Sequence, residues 1–391
     1  MPFIYNQHIS KQMNTKTSTL IKALPLAFSL LAATLISSCQ KDSSSLQKTT
    51  TTADKKIKVN GTAKYDNGFF IINEGWYGHG TGNVSFYNFA TGAIADSTFT
   101  KENPGKNLNP TSSTLEYGTI FNDKLFLVSK VGGPFVVANS HTLVEINRIA
   151  AKSGNDFRAF VGIDTTKGLI STNSGIYPVN LQTLALGTKL TTVTGQVGDM
   201  IKAGNYVFVL SQTSGVVVLN ASTYAVAKTI SGMLCAFART PDGAIWAAGG
   251  TQLVRIDPST LTTTTVTIPF SIYGSWGAWH PGSITASTTE NAVFIAQNAT
   301  SSGGTNVYKY TAANSASFTT PFLTVPTGRE LYGSGIGYDA AHNQLVVNTV
   351  HSGFTTNFSF NDLCFYNAST GALINDVAYN GYFFPSIVVF H

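Results

Sequence analysis

Charge is scarce in this chain. Lysine and arginine number 24 and aspartate and glutamate 19, together 11% of 391 residues. Cysteine is scarcer still, at three residues. Cys235 and Cys364 lie far apart inside apolar runs, so they read as core fillers and not as a disulfide framework or a metal site. No apolar run is long enough for a comfortable membrane span; residues 23–38 come nearest. The chain also lacks a G-x-S-x-G elbow, a P-loop, an H-E-x-x-H pair and an EF-hand run. Acids are few in the long loops, with Glu74, Glu102, Glu330 and Asp362 the main candidates. Glycoside hydrolysis needs two acids across one bond, and no such pair can be chosen here. These absences weigh against an enzyme, a metal protein and a resident cofactor.

The excess of positive charge, +5, lies in the first 58 residues. Lys11, Lys16 and Lys22 precede an apolar stretch, ALPLAFSLLAATLISS, that ends at Cys39. An aliphatic residue, two small residues and then cysteine resembles a bacterial lipobox, which implies a signal peptide over 1–38 and a lipid on Cys39. An ordinary signal peptide that happens to contain a cysteine is the alternative. Residues 40–58 are Ser/Thr/Lys-rich with nothing to bury, so 39–58 reads as a flexible lipidated tether. The remainder, 59–391, holds 16 basic and 17 acidic residues and gives no support to a nucleic-acid partner.

What is abundant is glycine, small polar residues, aromatics and repetition. A short apolar run ending in Asn or Asp, two residues, then Thr recurs as FYNFAT (86–91), VANSHT (137–142), PVNLQT (178–183), VLNAST (218–223), RIDPST (255–260) and FYNAST (365–370). KYTAAN (309–314) is a degenerate seventh copy. The Asn or Asp side chain can bond backbone two residues on, and Thr or Gly closes the turn. A turn followed by an apolar burst precedes each copy, from NGFFII (67–72) to NQLVVN (343–348). A third unit, LEYGTIF (115–121) among its copies, precedes the second six times. The missing seventh copy is supplied by FFPSIVVFH at the C-terminus, 383–391. The period averages near 46 residues, within the ~40–50 of four-stranded propeller blades. The spacing predicts an all-β, seven-bladed β-propeller over 59–391, with four strands per blade. Its ring closes by pairing the C-terminal strand with the first blade. A β-sandwich or solenoid also offers many short strands but does not explain the completing strand at the opposite terminus.

Strand order sorts the loops. With strands A to D running from axis to rim, A–B and C–D turns share one face and are short. B–C and D–A connections share the other face and hold the length variation. Among them are 73–83, 101–113, 269–281, 297–306, 325–335, 349–362 and 379–384. They carry Trp76, Tyr77, His79, Tyr273, Trp276, Trp279, His280, Arg329, Tyr332, His351, Phe354 and Tyr382, three of the four tryptophans included. Loops on a rigid scaffold are the usual seat of function, and exposed aromatics offer large rigid contact area. The expectation is a ligand-binding face for a small molecule or glycan. Arg158 and Arg329 either anchor an anionic group or tie loops together. Trp76 and Tyr77 either touch ligand or plug the axial channel. The histidine spacing matches no metal motif.

The run Phe70-Ile71-Ile72-Asn73-Glu74-Gly75-Trp76-Tyr77-Gly78, with Gly82-Asn83-Val84-Ser85-Phe86-Tyr87, resembles the opening signature of YncE-like surface lipoprotein propellers of Bacteroidota. The segment 331–339, LYGSGIGYD, is similar to a late unit of the same family. The resemblance covers most of 65–391. It implies a seven-bladed propeller on a lipid-anchored outer-membrane protein at the cell surface. The family includes BtuG, which captures vitamin B12 and related corrinoids for a TonB-dependent transporter. The implied role is capture of such a ligand, the corrinoid being cargo and not a cofactor. An adhesion or assembly scaffold using the same face for a protein or glycan is the other reading.

Overall fold

In the computed structural model the described residues are 63–80, 82–108, 113–274, 276, 283–297, 303–314, 316–353, 357 and 359–391. The leader, the tether with Cys39, and Trp279, His280 and Phe354 lie outside them.

Seven antiparallel sheets form the blades. Six begin with the inner strands Leu115–Phe121, Phe157–Gly162, Val197–Ala203, Cys235–Arg239, Ile284–Ala286 and Arg329–Asp339. The seventh inner strand is the chain's last, Pro385–Phe390, which completes the blade of Gly68–Asn73, Asn83–Asn88 and Ala93–Ala95. Phe69 pairs with Phe390, Phe70 with Val389, Ile71 with Val388 and Ile72 with Ile387. The ring is thus a seven-bladed β-propeller closed between its two ends.

The hydrophobic pattern explains why the blades stack. Second strands such as Gly68–Asn73 are buried on both sides, because a neighbouring blade covers each face. Seven apolar clusters fill the seven gaps between neighbouring blades in cyclic order. The gap between blades 7 and 1 is filled by Phe69, Ile71, Val346, Leu363, Phe365 and Val388 among others. Trp246 packs in the gap between blades 5 and 6 and donates Nε1–H to Thr240 Oγ1 at 3.0 Å.

The repeated turn has one chemistry in six copies. In blade 4, Asn220 Oδ1 accepts the amides of Ser222 and Thr223 at 2.9 and 3.0 Å. Asn88, Asn139, Asn180, Asp257 and Asn367 do the same at their own turns. The residue after each Thr is left-handed, and only Gly92 and Gly371 are glycine there; the others are Leu143, Leu184, Tyr224 and Leu261. A left-handed leucine costs about 1–2 kcal/mol. Leu143 is buried in the gap between blades 1 and 2 and Leu184 in the gap between blades 2 and 3, and burying such a side chain contributes about 1.5–3 kcal/mol. Packing therefore outweighs strain. The degenerate copy differs: Asn314 N–H returns to Thr311 O instead. Replacing Asn220 with alanine removes the one oxygen that accepts both turn amides and lowers stability by about 1 kcal/mol. A urea midpoint identical to wild type would contradict this.

Two blades depart from four separate strands. In blade 3 the segment beyond Gly175–Asn180 makes only isolated bridges, Val179 to Leu186 and Gly175 to Thr194. Pro178 has no amide to donate to an outer strand, although its carbonyl accepts Gly187 N–H. In blade 5 the second and third strands are one element, Ile245–Ile256, whose two ends pair with different partners.

Candidate ligand-binding face

The Trp76 loop is fixed at its base before it projects. Asn73, fully buried, donates Nδ2–H to Asn83 Oδ1 and Ser85 Oγ at 2.7 and 2.9 Å. Glu74 N–H and Gly75 N–H reach Phe384 O and Phe383 O, binding the loop to the connection between blades 7 and 1. Gly82 must be glycine, because an added Cβ would lie 2.5 Å from both Asn73 O and Leu115 Cβ. Above this base the chain turns through Gly78 at φ 81°, and the amides of His79 and Gly80 both close onto Trp76 O.

The result is a layered aromatic cluster. Trp76 rests on buried Tyr332, Val350 and Phe384. Its indole stacks on His79 at 3.9 Å and on Tyr382 at 4.8 Å, with planes 26° and 27° apart. Tyr332 Oη donates to buried Glu74 Oε2 at 3.3 Å, and burial holds the phenol well above its ordinary pKa. Tyr77 and Tyr382 are each 54% exposed, and Tyr273 is 49% exposed. Trp76 is the half-buried centre; its neighbours present the free ring surface.

Trp276 emerges on the same face but is placed differently. Its carbonyl accepts Gln196 Nε2–H at 2.8 Å, from the connection between blades 3 and 4. Its ring packs against the gap between blades 2 and 3 and the gap between blades 4 and 5. Reaching both gaps from the blade 5–6 connection puts the indole toward the axial side of the blades.

The two arginines are both held by acids. Arg158, buried on the inner strand of blade 3, donates Nη2–H to Asp156 Oδ2 at 3.1 Å. Its Nε and Nη1 make no hydrogen bond among the described residues. Arg329 pairs through Nε with Asp362 at 3.0 Å and through Nη1 with Asp376. His351 Nε2 lies 3.0 Å from the same Asp362 oxygen and stacks on Phe360. Burial opposes the Arg329 charge, yet Asp376 and Asp362 hold its pKa above the ordinary value. Burial also lifts the Asp362 carboxyl, against the pull of Arg329. Cys364 sits beside this group with its thiol pushed up to about 11 by burial, so it stays protonated.

One buried pair had no signal in the sequence. Lys130 and Glu116, both buried, form an ion pair where the inner strand of blade 2 breaks register. Bulges re-aim side chains, and this one turns Glu116 inward. Burial pushes the Lys130 ammonium down to about 8, and neighbouring Glu74 opposes that shift. Among the described residues no three His, Cys, Asp or Glu side chains converge as a metal site would require.

The described site residues therefore fall into three groups, Trp76, His79, Tyr332 and Tyr382 in direct succession with Tyr77 beside them, Arg329 with His351, and Arg158 and Trp276 toward the axial side, while Tyr273 stands exposed by itself just beyond the outer strand Thr263–Ile272 of blade 5. A separate cavity of about 720 Å³ lies along the axis and is walled by inner strands of all seven blades.

A closed seven-bladed propeller with an aromatic cluster on its long-loop face defines the class of this protein. Residues 67–391 match the model of a domain of unknown function, DUF5074, and the chain belongs to that family. No curated protein matches the chain. Among solved structures it is similar to the dihydro-heme d1 dehydrogenase NirN in complex with DHE, at 10% identity and TM-score 0.52, over 84% of this chain and 67% of that one. It is also similar to the Neurospora crassa Pan2 WD40 domain, at 12% identity and TM-score 0.50, over 68% and 79%. A third is the extracellular domain of a B. thetaiotaomicron protein assigned as a hybrid two-component system, at 13% identity and TM-score 0.50. That likeness covers 70% of this chain and 34% of the other, so the chain spans about a third of its length. At these identities the likeness is one of fold.

Proposed function

We propose that this DUF5074 chain is a non-enzymatic capture protein, lipid-anchored through Cys39 to the outer membrane and facing the cell exterior. It takes a bulky, flat nutrient of the corrinoid class on its long-loop face and hands it to a TonB-dependent transporter. The observation that carries this reading is the stack of His79, Trp76 and Tyr382, with exposed Tyr77 beside it. Ring faces held in place offer rigid apolar contact at little cost in side-chain entropy. The resemblance of 70–87 and 331–339 to YncE-like lipoproteins supports the ligand class, since both motifs build this cluster: Trp76 and Glu74 come from the first, Tyr332 from the second. Propellers also host enzymes, as NirN does. Here the acids nearest the rings are committed, Glu74 to Tyr332 and Asp362 to Arg329 and His351.

The test is calorimetric titration of the full chain with cyanocobalamin and with cobinamide. Saturable heat at micromolar ligand is expected for at least one. Absence of heat for both would remove the corrinoid reading and leave a scaffold that binds a protein or glycan through the same rings.

A further inference from the structure

The axial cavity lies apart from the aromatic cluster and has a chemistry of its own. Its walls are the later halves of the inner strands, such as 117–121, 199–202 and 387–390. Those strands run from the long-loop face toward the short-turn face. The cavity therefore opens among the short turns, where Gly204 and Arg239 are exposed. A volume of about 720 Å³ lies within the ~300–1,000 Å³ of small-molecule sites.

Half-buried Phe121, Phe237 and Phe390 line it, with Tyr117, Phe160 and Tyr338 buried behind in the gaps between blades. Tyr117 spends its hydroxyl on Phe160 O at 3.3 Å. Two cations stand at the mouth on adjacent blades, Lys202 and Arg239. Lys202 Nζ touches only a carbonyl, Gly204 O at 3.1 Å, and neither cation meets a carboxylate among the described residues. Among the acids of the surrounding turns, exposed Asp123 lies 3.7 Å from His141 Nε2, and four others are engaged elsewhere. Asp164 caps its own turn, Asp242 holds Arg255, Glu290 holds Lys309, and Asp339 holds His342. Inside, the one acid on the wall is Asp199, whose two oxygens accept Met200 N–H at 2.8 Å and Phe237 N–H at 3.0 Å. Burial lifts its carboxyl to about 7, which cuts its negative charge at neutral pH.

We infer that the axial channel is a second binding site, for a slender amphipathic anion whose aromatic or apolar body enters between the inner strands and whose acid group rests on Lys202 and Arg239. The site is on the face opposite the aromatic cluster and does not depend on the corrinoid reading.

The probe is 4-phenylbutyrate, with the neutral 4-phenylbutan-1-ol as its matched control, titrated against the full chain by ligand-observed NMR. The acid is expected to bind at least ~10-fold tighter than the alcohol, a difference of about 1.4 kcal/mol. The double variant Lys202→Gln, Arg239→Gln alters side chains at the open mouth and is expected to erase that preference while leaving the thermal melting profile intact. Excess cobinamide is expected to leave phenylbutyrate affinity unchanged. Equal binding of acid and alcohol, no binding of either at millimolar concentration, a preference that survives in the double variant, or competition by cobinamide would each overturn the inference.

Discussion

Deletion of residues 383–391 abolishes folding of the domain: the shortened chain is expected to elute as soluble aggregate and to show no cooperative melt. The lost strand pairs along Phe69–Asn73, so its removal leaves the first blade without an inner strand and opens the ring. Val388 and Val389 leave the gaps on either side of that blade, and Ser386 Oγ no longer reaches Ile72 O at 3.2 Å and Glu116 O at 3.3 Å. The fit is close: a Cβ added at Gly337 would lie 2.2 Å from Val388. Burial of the apolar side chains and five paired positions together contribute roughly 10 kcal/mol, comparable with the whole stability of a typical domain. Size-exclusion chromatography and a thermal melt check this. A monomer melting cooperatively within about 5 °C of the full chain would contradict it.

Replacement of Trp76 by alanine is expected to weaken corrinoid binding about 100-fold, or ~2.7 kcal/mol, the range of an aromatic hot spot. The effect is indirect as well as direct. Without the indole, His79 and Tyr382 lose the surface on which both stack, and ligand must then order them itself. Trp76→Phe keeps an apolar ring on Tyr332, Val350 and Phe384 and is expected to lose less than 10-fold. Titration of both variants alongside wild type measures the difference. Equal affinity for wild type and the alanine variant would move the site elsewhere.

The ring was legible because closure leaves a sequence trace. Six inner-strand units followed by FFPSIVVFH can be completed only by pairing end to end, and Phe69–Ile72 with Ile387–Phe390 does so. The Asn/Asp-x-x-Thr turns were legible because one side chain sets the local hydrogen bonds. The left-handed leucines were not, since local preference argues against them and only burial between blades reverses the balance. Nor was the fourth strand of blade 3 correctly read, because one proline within an apolar run decides whether an outer strand can add. In the site, Arg329 and Asp362 each stood out alone. Their pairing depends on cross-strand register over a whole blade. Lys130 and Glu116 meet through a bulge, and a bulge has no residue signature here. Trp276 read as one more loop aromatic; its packing against two gaps between blades has no local sequence signature.

The most direct measurement of the central claim is a crystal structure of the protein grown with cobinamide. The macrocycle is expected on the long-loop face, with ring atoms within van der Waals reach of Tyr382 and His79, both of which stack on the indole of Trp76. A macrocycle bound on the short-turn face, or on the rim away from Trp76, would contradict it.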